Sequence, residues 1–106
     1  KFTLLLFDGQ SSSADGYDDL QQIATATRKK WDDRVAIYVV TPRSDRPSAL
    51  SEDIIVLHDD GLELEERYGA RTECLYLIRP DLYVGFRSQP ADGRELAAYL
   101  DTLLRL

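Results

Sequence analysis

Residues 68–87 read Tyr68-Gly69-Ala70-Arg71-Thr72-Glu73-Cys74-Leu75-Tyr76-Leu77-Ile78-Arg79-Pro80-Asp81-Leu82-Tyr83-Val84-Gly85-Phe86-Arg87. Gly69 suits the left-handed position just past a helix end, because it has no Cβ to clash there. Leu75–Arg79 is an apolar run of strand length. Pro80-Asp81-Leu82 carries turn chemistry, and Tyr83–Arg87 follows as a second strand. So short a connection between two strands predicts an antiparallel hairpin. The stretch therefore reads as helix end, loop, strand, turn and strand, and the rest of the chain must supply the sheet that this hairpin extends.

Upstream, Phe2–Phe7 is a continuous apolar run, short enough for a strand buried on both faces. Asp8–Gly16 is rich in Ser, Asp and Gly, the composition of a loop. From Tyr17 the period turns helical: Tyr17, Leu20, Ile23, Ala24, Thr27 and Trp31 share one side, and Asp18, Asp19, Gln21, Gln22 and Arg28 the other. Ser13 or Asp15 suits the N-cap, while Arg28-Lys29-Lys30 offsets the dipole at the opposite end. Val35–Val40 is a second apolar, β-branched run, so the first half is a βαβ unit with parallel strands and a right-handed crossover. Thr41–Asp53, with Pro42 and Pro47, is a loop, and Ile54–Leu57 a short strand. His58-Asp59-Asp60-Gly61 leads into a short helix with Leu64 and Tyr68 stacked at i, i+4. Downstream, Asp92-Gly93-Arg94-Glu95 resembles a capping box with Asp at the cap. The helix it opens is expected to bury Leu96, Ala97, Leu100, Leu103 and Leu104.

A parallel βαβ half followed by an antiparallel ββα half is the thioredoxin-like arrangement. The expected class is α/β, with a central mixed sheet of four to five strands and helices on both faces. At 106 residues the chain forms one domain, residues 1–106, and its 43% hydrophobic content is enough for a single core. The net charge of −6 argues against nucleic acid, whose phosphates need clustered cations. No apolar run approaches the roughly 20 residues that span a bilayer, so no membrane association is expected. One cysteine excludes an internal disulfide and fits a reducing, cytoplasmic setting. The chain has no methionine and opens directly on a strand, which predicts a domain cut from a longer protein.

Thiol-redox chemistry in this fold needs a cysteine where the first βα loop meets its helix, because the helix N-terminus favours the thiolate. Here that loop reads Asp8-Gly9-Gln10-Ser11-Ser12-Ser13-Ala14-Asp15 and holds no sulfur. Cys74 stands instead at the head of a later strand, where thioredoxins carry their active-site cis-proline, and reads as a small buried hydrophobe. His58 is the only histidine. With Asp59, Asp60 and the serines it sketches a Ser-His-Asp set, but no nucleophile-elbow sequence accompanies it, so a solvated strand-end histidine is expected. Asp59-Asp60-Gly61 lacks the ligand spacing of a calcium loop. Glu63, Glu65 and Glu66 read as a solvated helix face, and no glycine-rich phosphate loop occurs. The expectation is no catalytic, cofactor-binding or metal-binding residue in this chain.

Phe2–Asp8, Tyr68-Gly69-Ala70 and Leu75–Ser88 together resemble the C-terminal thioredoxin-like domain of FAD-dependent aromatic hydroxylases, of the phenol hydroxylase and 3-(3-hydroxyphenyl)propionate hydroxylase type. In that family a strand ending in Arg-Pro-Asp, a turn, and a second strand rich in Val and aromatics precede the last helix. The resemblance spans nearly the whole chain, with motifs of moderate specificity. Leu82 departs from it, since the family usually has Gly in the turn. The resemblance implies that this domain comes from the C-terminus of a flavoprotein. That parent would use FAD and NAD(P)H, with both sites in N-terminal flavin domains outside this chain. No catalytic residue of the family maps onto this sequence.

The function expected on these grounds is a redox-inactive structural or association domain of such a monooxygenase. Its partners would be the parent flavin domains and a second subunit, met through a surface carrying Tyr83 and Phe86. The alternatives are a free-standing thioredoxin-like interaction adaptor and a single-cysteine thiol peroxidase or reductase using Cys74. For the surface itself, Phe86 could instead pack beneath the last helix and leave Tyr83 alone in solvent.

Overall fold

The computed structural model describes residues 1–7, 14–31, 33–41, 50–59, 67, 74–89 and 91–103, with 14–18 described in their backbone only. Its elements are β1 (Phe2–Phe7), α1 (Ala14–Trp31), β2 (Val35–Thr41), β3 (Ile55–His58), β4 (Cys74–Ile78), β5 (Val84–Ser88) and α2 (Gly93–Leu103). The strands make one mixed sheet in the order β3-β2-β1-β4-β5. β1 is central, parallel to β2 and antiparallel to β4, and β2 and β3 are also parallel. This is the thioredoxin-like α/β architecture.

The period of two along each strand sorts the core into two layers. Leu4 and Leu6 of β1, Val35, Ile37 and Val39 of β2, and Leu75 and Leu77 of β4 face one side. There they meet Leu20, Ile23, Ala24 and Trp31 of α1 and Leu96 and Leu100 of α2. Leu5, Phe7, Val40, Cys74 and Tyr76 face the other side. β1 and β4 are thus lined on both faces, which is why they read as unbroken apolar runs. Leu4, Leu6, Leu20, Leu75, Leu77, Leu96 and Leu100 are all fully buried, each contributing about 1.5–3 kcal/mol against exposure.

Local signals set the joints. Asp92 Oδ1 accepts the N–H groups of Arg94 (3.0 Å) and Glu95 (3.1 Å), capping α2 where the Asp-Gly-Arg-Glu pattern placed a cap. α1 ends in Arg28-Lys29-Lys30, as the dipole favours. The 51–54 turn is tied to α1: Ser51 N donates to Gln21 Oε1 at 2.8 Å, and Arg28 pairs with Asp53. The Ser51 hydroxyl first, then the local backbone and the Arg28 guanidinium, hold the Asp53 carboxyl below its usual 3.8.

Several expectations change. Asp15 lies inside α1, which begins at Ala14, so it is not the cap. β3 starts at Ile55, because Ile54 N closes a turn onto Ser51 O at 3.1 Å and its side chain is buried below α1. Cys74 heads β4 as read, paired with Phe7 at the end of β1, but β4 stops at Ile78 rather than Arg79, and β5 runs Val84–Ser88 without Tyr83. Leu103 is 48% exposed rather than buried: it lines an open cleft with Phe2, Arg79, Pro80, Asp81 and Tyr99. Ser13, the short helix at 61–68 with Leu64 and Tyr68, Gly69 as its terminator, and Leu104 lie outside the described residues. The helices α1 and α2 share one face of the sheet.

The turn after β4 is where this chain departs from glycine usage. Leu82 N donates to Arg79 O (2.8 Å), closing a tight turn with Pro80 and Asp81 at its centre, and Arg79 N donates to Tyr83 O (2.8 Å). Leu82 has φ 72°, the one positive value at a non-glycine among the described residues. A tight turn followed by one left-handed residue is the usual three-residue hairpin connection, in which that residue is normally Gly. Gly85 then falls between the Leu77–Phe86 and Ile78–Val84 pairs, so β5 carries a bulge.

Candidate functional site

In open sheets with parallel strands, ligands and reactive groups gather beyond the carboxyl ends of those strands. Here Phe7, Thr41 and His58 end β1, β2 and β3. Because β4 runs antiparallel to β1, its first residue, Cys74, arrives at the same edge opposite Phe7. Asp59, buried just past β3, donates its N–H to Thr41 O at 2.7 Å. The sequence-predicted groups Cys74, His58 and Asp59 therefore share one end of the sheet. Asp60 and Gly61 lie outside the described residues, as does the Asp8–Ser13 loop.

The thiol at this corner is buried. Cys74 is 1% exposed and packs with Leu5, Phe7, Val40 and Tyr76. The Phe7 and Tyr76 rings meet edge-to-face at 5.9 Å and 81°, and Arg87 lies 5.9 Å from the Tyr76 ring centre. Both rings lie among the side chains packed around Cys74. His58 is exposed. Ser51 is engaged by Gln21 and Asp53 on the α1 side instead, so it is not part of a set with His58.

The proposed contact pair of Tyr83 and Phe86 divides. Tyr83 is 71% exposed at the hairpin tip, between exposed Leu82 and Val84. Phe86 turns the other way and stacks on Tyr99 of α2, with ring centres 5.3 Å apart. Phe86 pairs with Leu77, whose side chain faces the helices, while the bulge sets Val84, two residues earlier, against Ile78 of the opposite face. The packing is close, since a Cβ on Gly85 would lie 2.9 Å from Arg79 Cγ and 3.0 Å from the Tyr99 hydroxyl. Sequence reasoning missed Leu82 and Leu103. The missing turn glycine was the available signal for Leu82, and the helical period taken past the edge of the sheet hid Leu103.

A second concavity, of about 570 Å³, runs between α1 and α2, with Ile23, Thr27, Trp31, Gly93 and Ala97 among its lining residues. Lys30 pairs with Asp101 across the helices and sits 4.9 Å from the centre of the Trp31 ring. The chain of resemblances and charges had not singled out this groove. Among the described residues, no helix is long and apolar enough to cross a membrane.

No protein-family model matches the chain, and neither does any curated protein. Solved structures do. The chain is similar to Mycobacterium tuberculosis AhpC (TM-score 0.70, 16% identity, 99% of this chain and 70% of that one). It is similar to a thiol-disulfide oxidoreductase from Bacteroides fragilis (TM-score 0.69, 16% identity, 97% and 81%). It is also similar to an uncharacterized conserved protein from Geobacillus kaustophilus (TM-score 0.69, 20% identity, 97% and 67%). At such identities the likeness is one of fold, and the fold is thioredoxin-like.

Proposed function

We propose that this chain is a redox-inactive thioredoxin-like module that works by association with a protein partner. The observation that carries the reading is the state of its only thiol: Cys74 is shut inside the sheet at 1% exposure, and the first βα loop has no cysteine. A thioredoxin-like oxidoreductase or peroxidase depends on an accessible low-pKa thiolate, which these residues do not offer. The hairpin tip supplies the contact surface instead. Leu82, Tyr83 and Val84 are exposed in sequence, and exposed Leu103 borders the adjoining cleft. Clustered apolar side chains of this kind mark contact sites, and an exposed Tyr is a frequent anchor.

The free-standing adaptor is the form of this reading that the oxidoreductase likenesses favour. The flavoprotein-tail form rests on the sequence resemblance, with FAD and NAD(P)H bound by its parent and its own flavin domains as the partner. Coding sequence upstream of Lys1 separates the two: a Gly-x-Gly-x-x-Gly strand–helix unit there selects the flavoprotein form. The association itself is tested in the full gene product by replacing Leu82, Tyr83 and Val84 together with Ser, Ser and Thr. Light scattering and partner co-purification should show loss of the complex at an unchanged unfolding midpoint. An unchanged complex refutes the surface, and peroxide or insulin-disulfide turnover that disappears in Cys74→Ala refutes the reading as a whole.

A further inference from the structure

We infer that the groove between α1 and α2 is a binding site for a small amphipathic monocarboxylic acid, with an apolar ring or short alkyl body. The inference is independent of the association surface, which lies at the other side of α2. The groove holds about 570 Å³, within the range of small-molecule sites. It has two ends. The Lys30–Asp101 pair bridges the helices at one. At the other the chain enters α2 through Ala91 and Asp92, opposite Asp19. A groove bounded in this way suits a small molecule better than a through-running peptide helix.

The floor is made by small residues. α1 and α2 approach closely at Gly93, where an added Cβ would lie 3.0 Å from Ile23 Cγ1. Ala26 and Ala97 keep the walls low, and Trp31 lies along the lining. Among the polar residues that line the groove, Thr27 is the one that is buried. Its side chain is 4% exposed, and no described hydrogen bond satisfies its hydroxyl. A buried hydroxyl without a partner is costly, and a ligand oxygen in the groove relieves it. This is the feature that distinguishes a binding site from a mere gap between helices.

The rim charges select the class. Asp92 is occupied by the N–H groups of Arg94 and Glu95, and Lys30 by Asp101. Arg94, exposed at the first turn of α2 on the groove wall, has no such engagement. It offers a planar guanidinium to a carboxylate, beside the positive end of the helix. Asp19 on the same rim and the net charge of −6 penalise a second negative charge, so a monocarboxylate is favoured over a phosphate.

Trp31 is the only tryptophan, so its fluorescence reports on the groove directly. The probes are 4-phenylbutyrate, 4-phenylbutan-1-ol and 4-phenylbutylamine, titrated into this chain. The expected result is a saturable change with 4-phenylbutyrate and a dissociation constant on the order of 1 mM or below. The alcohol should bind about fivefold more weakly. Arg94→Gln should erase the preference for the acid, Thr27→Val should weaken acid and alcohol alike, and Ala97→Phe should fill the groove and abolish both. Amide shift changes on binding should fall within residues 22–31 and 91–97, which keeps the assignment testable if Ala97→Phe does not fold. Absence of saturation with 4-phenylbutyrate, shifts located elsewhere, a preference for the amine, or an acid preference that survives Arg94→Gln overturns the inference.

Discussion

Replacing Leu82 by Gly should stabilise the protein, although it deletes a whole apolar side chain. Leu82 holds φ 72° in the turn after β4, a conformation that costs a residue with a Cβ roughly 1–2 kcal/mol. Its side chain is 84% exposed, so its removal sacrifices only about a sixth of the 1.5–3 kcal/mol of a fully buried leucine, roughly 0.2–0.5 kcal/mol. Glycine also releases more backbone freedom on unfolding, a further loss of about 0.4–1 kcal/mol. Central values leave a net gain of about 0.5 kcal/mol, or an increase of roughly 2–4 °C in melting temperature for a domain of this size. Thermal unfolding followed by circular dichroism, with Leu82→Ala as control, measures this. Alanine keeps the strain and loses the same contacts, so it should fall below wild type and below glycine. A glycine variant no more stable than the alanine variant would show that the turn is unstrained and would remove the argument that Leu82 is kept for contact. If the argument holds, Leu82→Gly gains stability and loses partner binding together, the trade expected where function retains a strained residue.

Phe86→Ala should cost about 2 kcal/mol through loss of the ring stacked on Tyr99, whereas Tyr83→Ala should stay within roughly 0.5 kcal/mol; urea midpoints compare the two. Cys74→Ala should cost about 1 kcal/mol, and the native protein should react with a thiol reagent only as fast as it opens. Asp53→Asn should destabilise near neutral pH and not in acid. The folded carboxyl lies below the unfolded value of 3.8, so its contribution is present above that pH and is lost as pH falls through the folded value. The difference in urea midpoint between wild type and Asp53→Asn, followed from pH 7 downward, should therefore vanish in the acid range; a difference that grows in acid contradicts the Ser51–Asp53–Arg28 arrangement.

The fold was legible because its signals are short-range and redundant. Phe2–Phe7, the face Leu20–Ile23–Ala24–Thr27–Trp31 and the Asp92 cap each depend on local pattern, and the structure places them as read. What escaped depends on register between elements. That Val84 and Phe86, two residues apart, face opposite sides follows from the bulge at Gly85, which period-two counting does not anticipate. The exposure of Leu103 depends on where the sheet ends beneath α2, since the helical period continues whether or not a strand lies below. The groove escaped for a related reason. Ala26, Gly93 and Ala97 are unremarkable in their own segments and form a concavity only when two parallel helices bring them together.

The placement of the exposed apolar side chains also bears on how the module would be bound. Among the described strands β5 lies at an edge of the sheet, and a sheet edge is where an extended chain can add. This one is five residues long, is broken by the bulge at Gly85, and carries Arg87. Such features discourage strand addition. Leu82 and Tyr83 lie outside β5 altogether, and Val84 is its first residue. Contact would accordingly be made by side chains at the hairpin tip, entering a pocket on the partner, rather than by backbone pairing along the edge. That arrangement makes affinity sensitive to the identity of Leu82 and Tyr83 and insensitive to the strand backbone. It also explains why a leucine can persist in a turn position where glycine would be easier to accommodate.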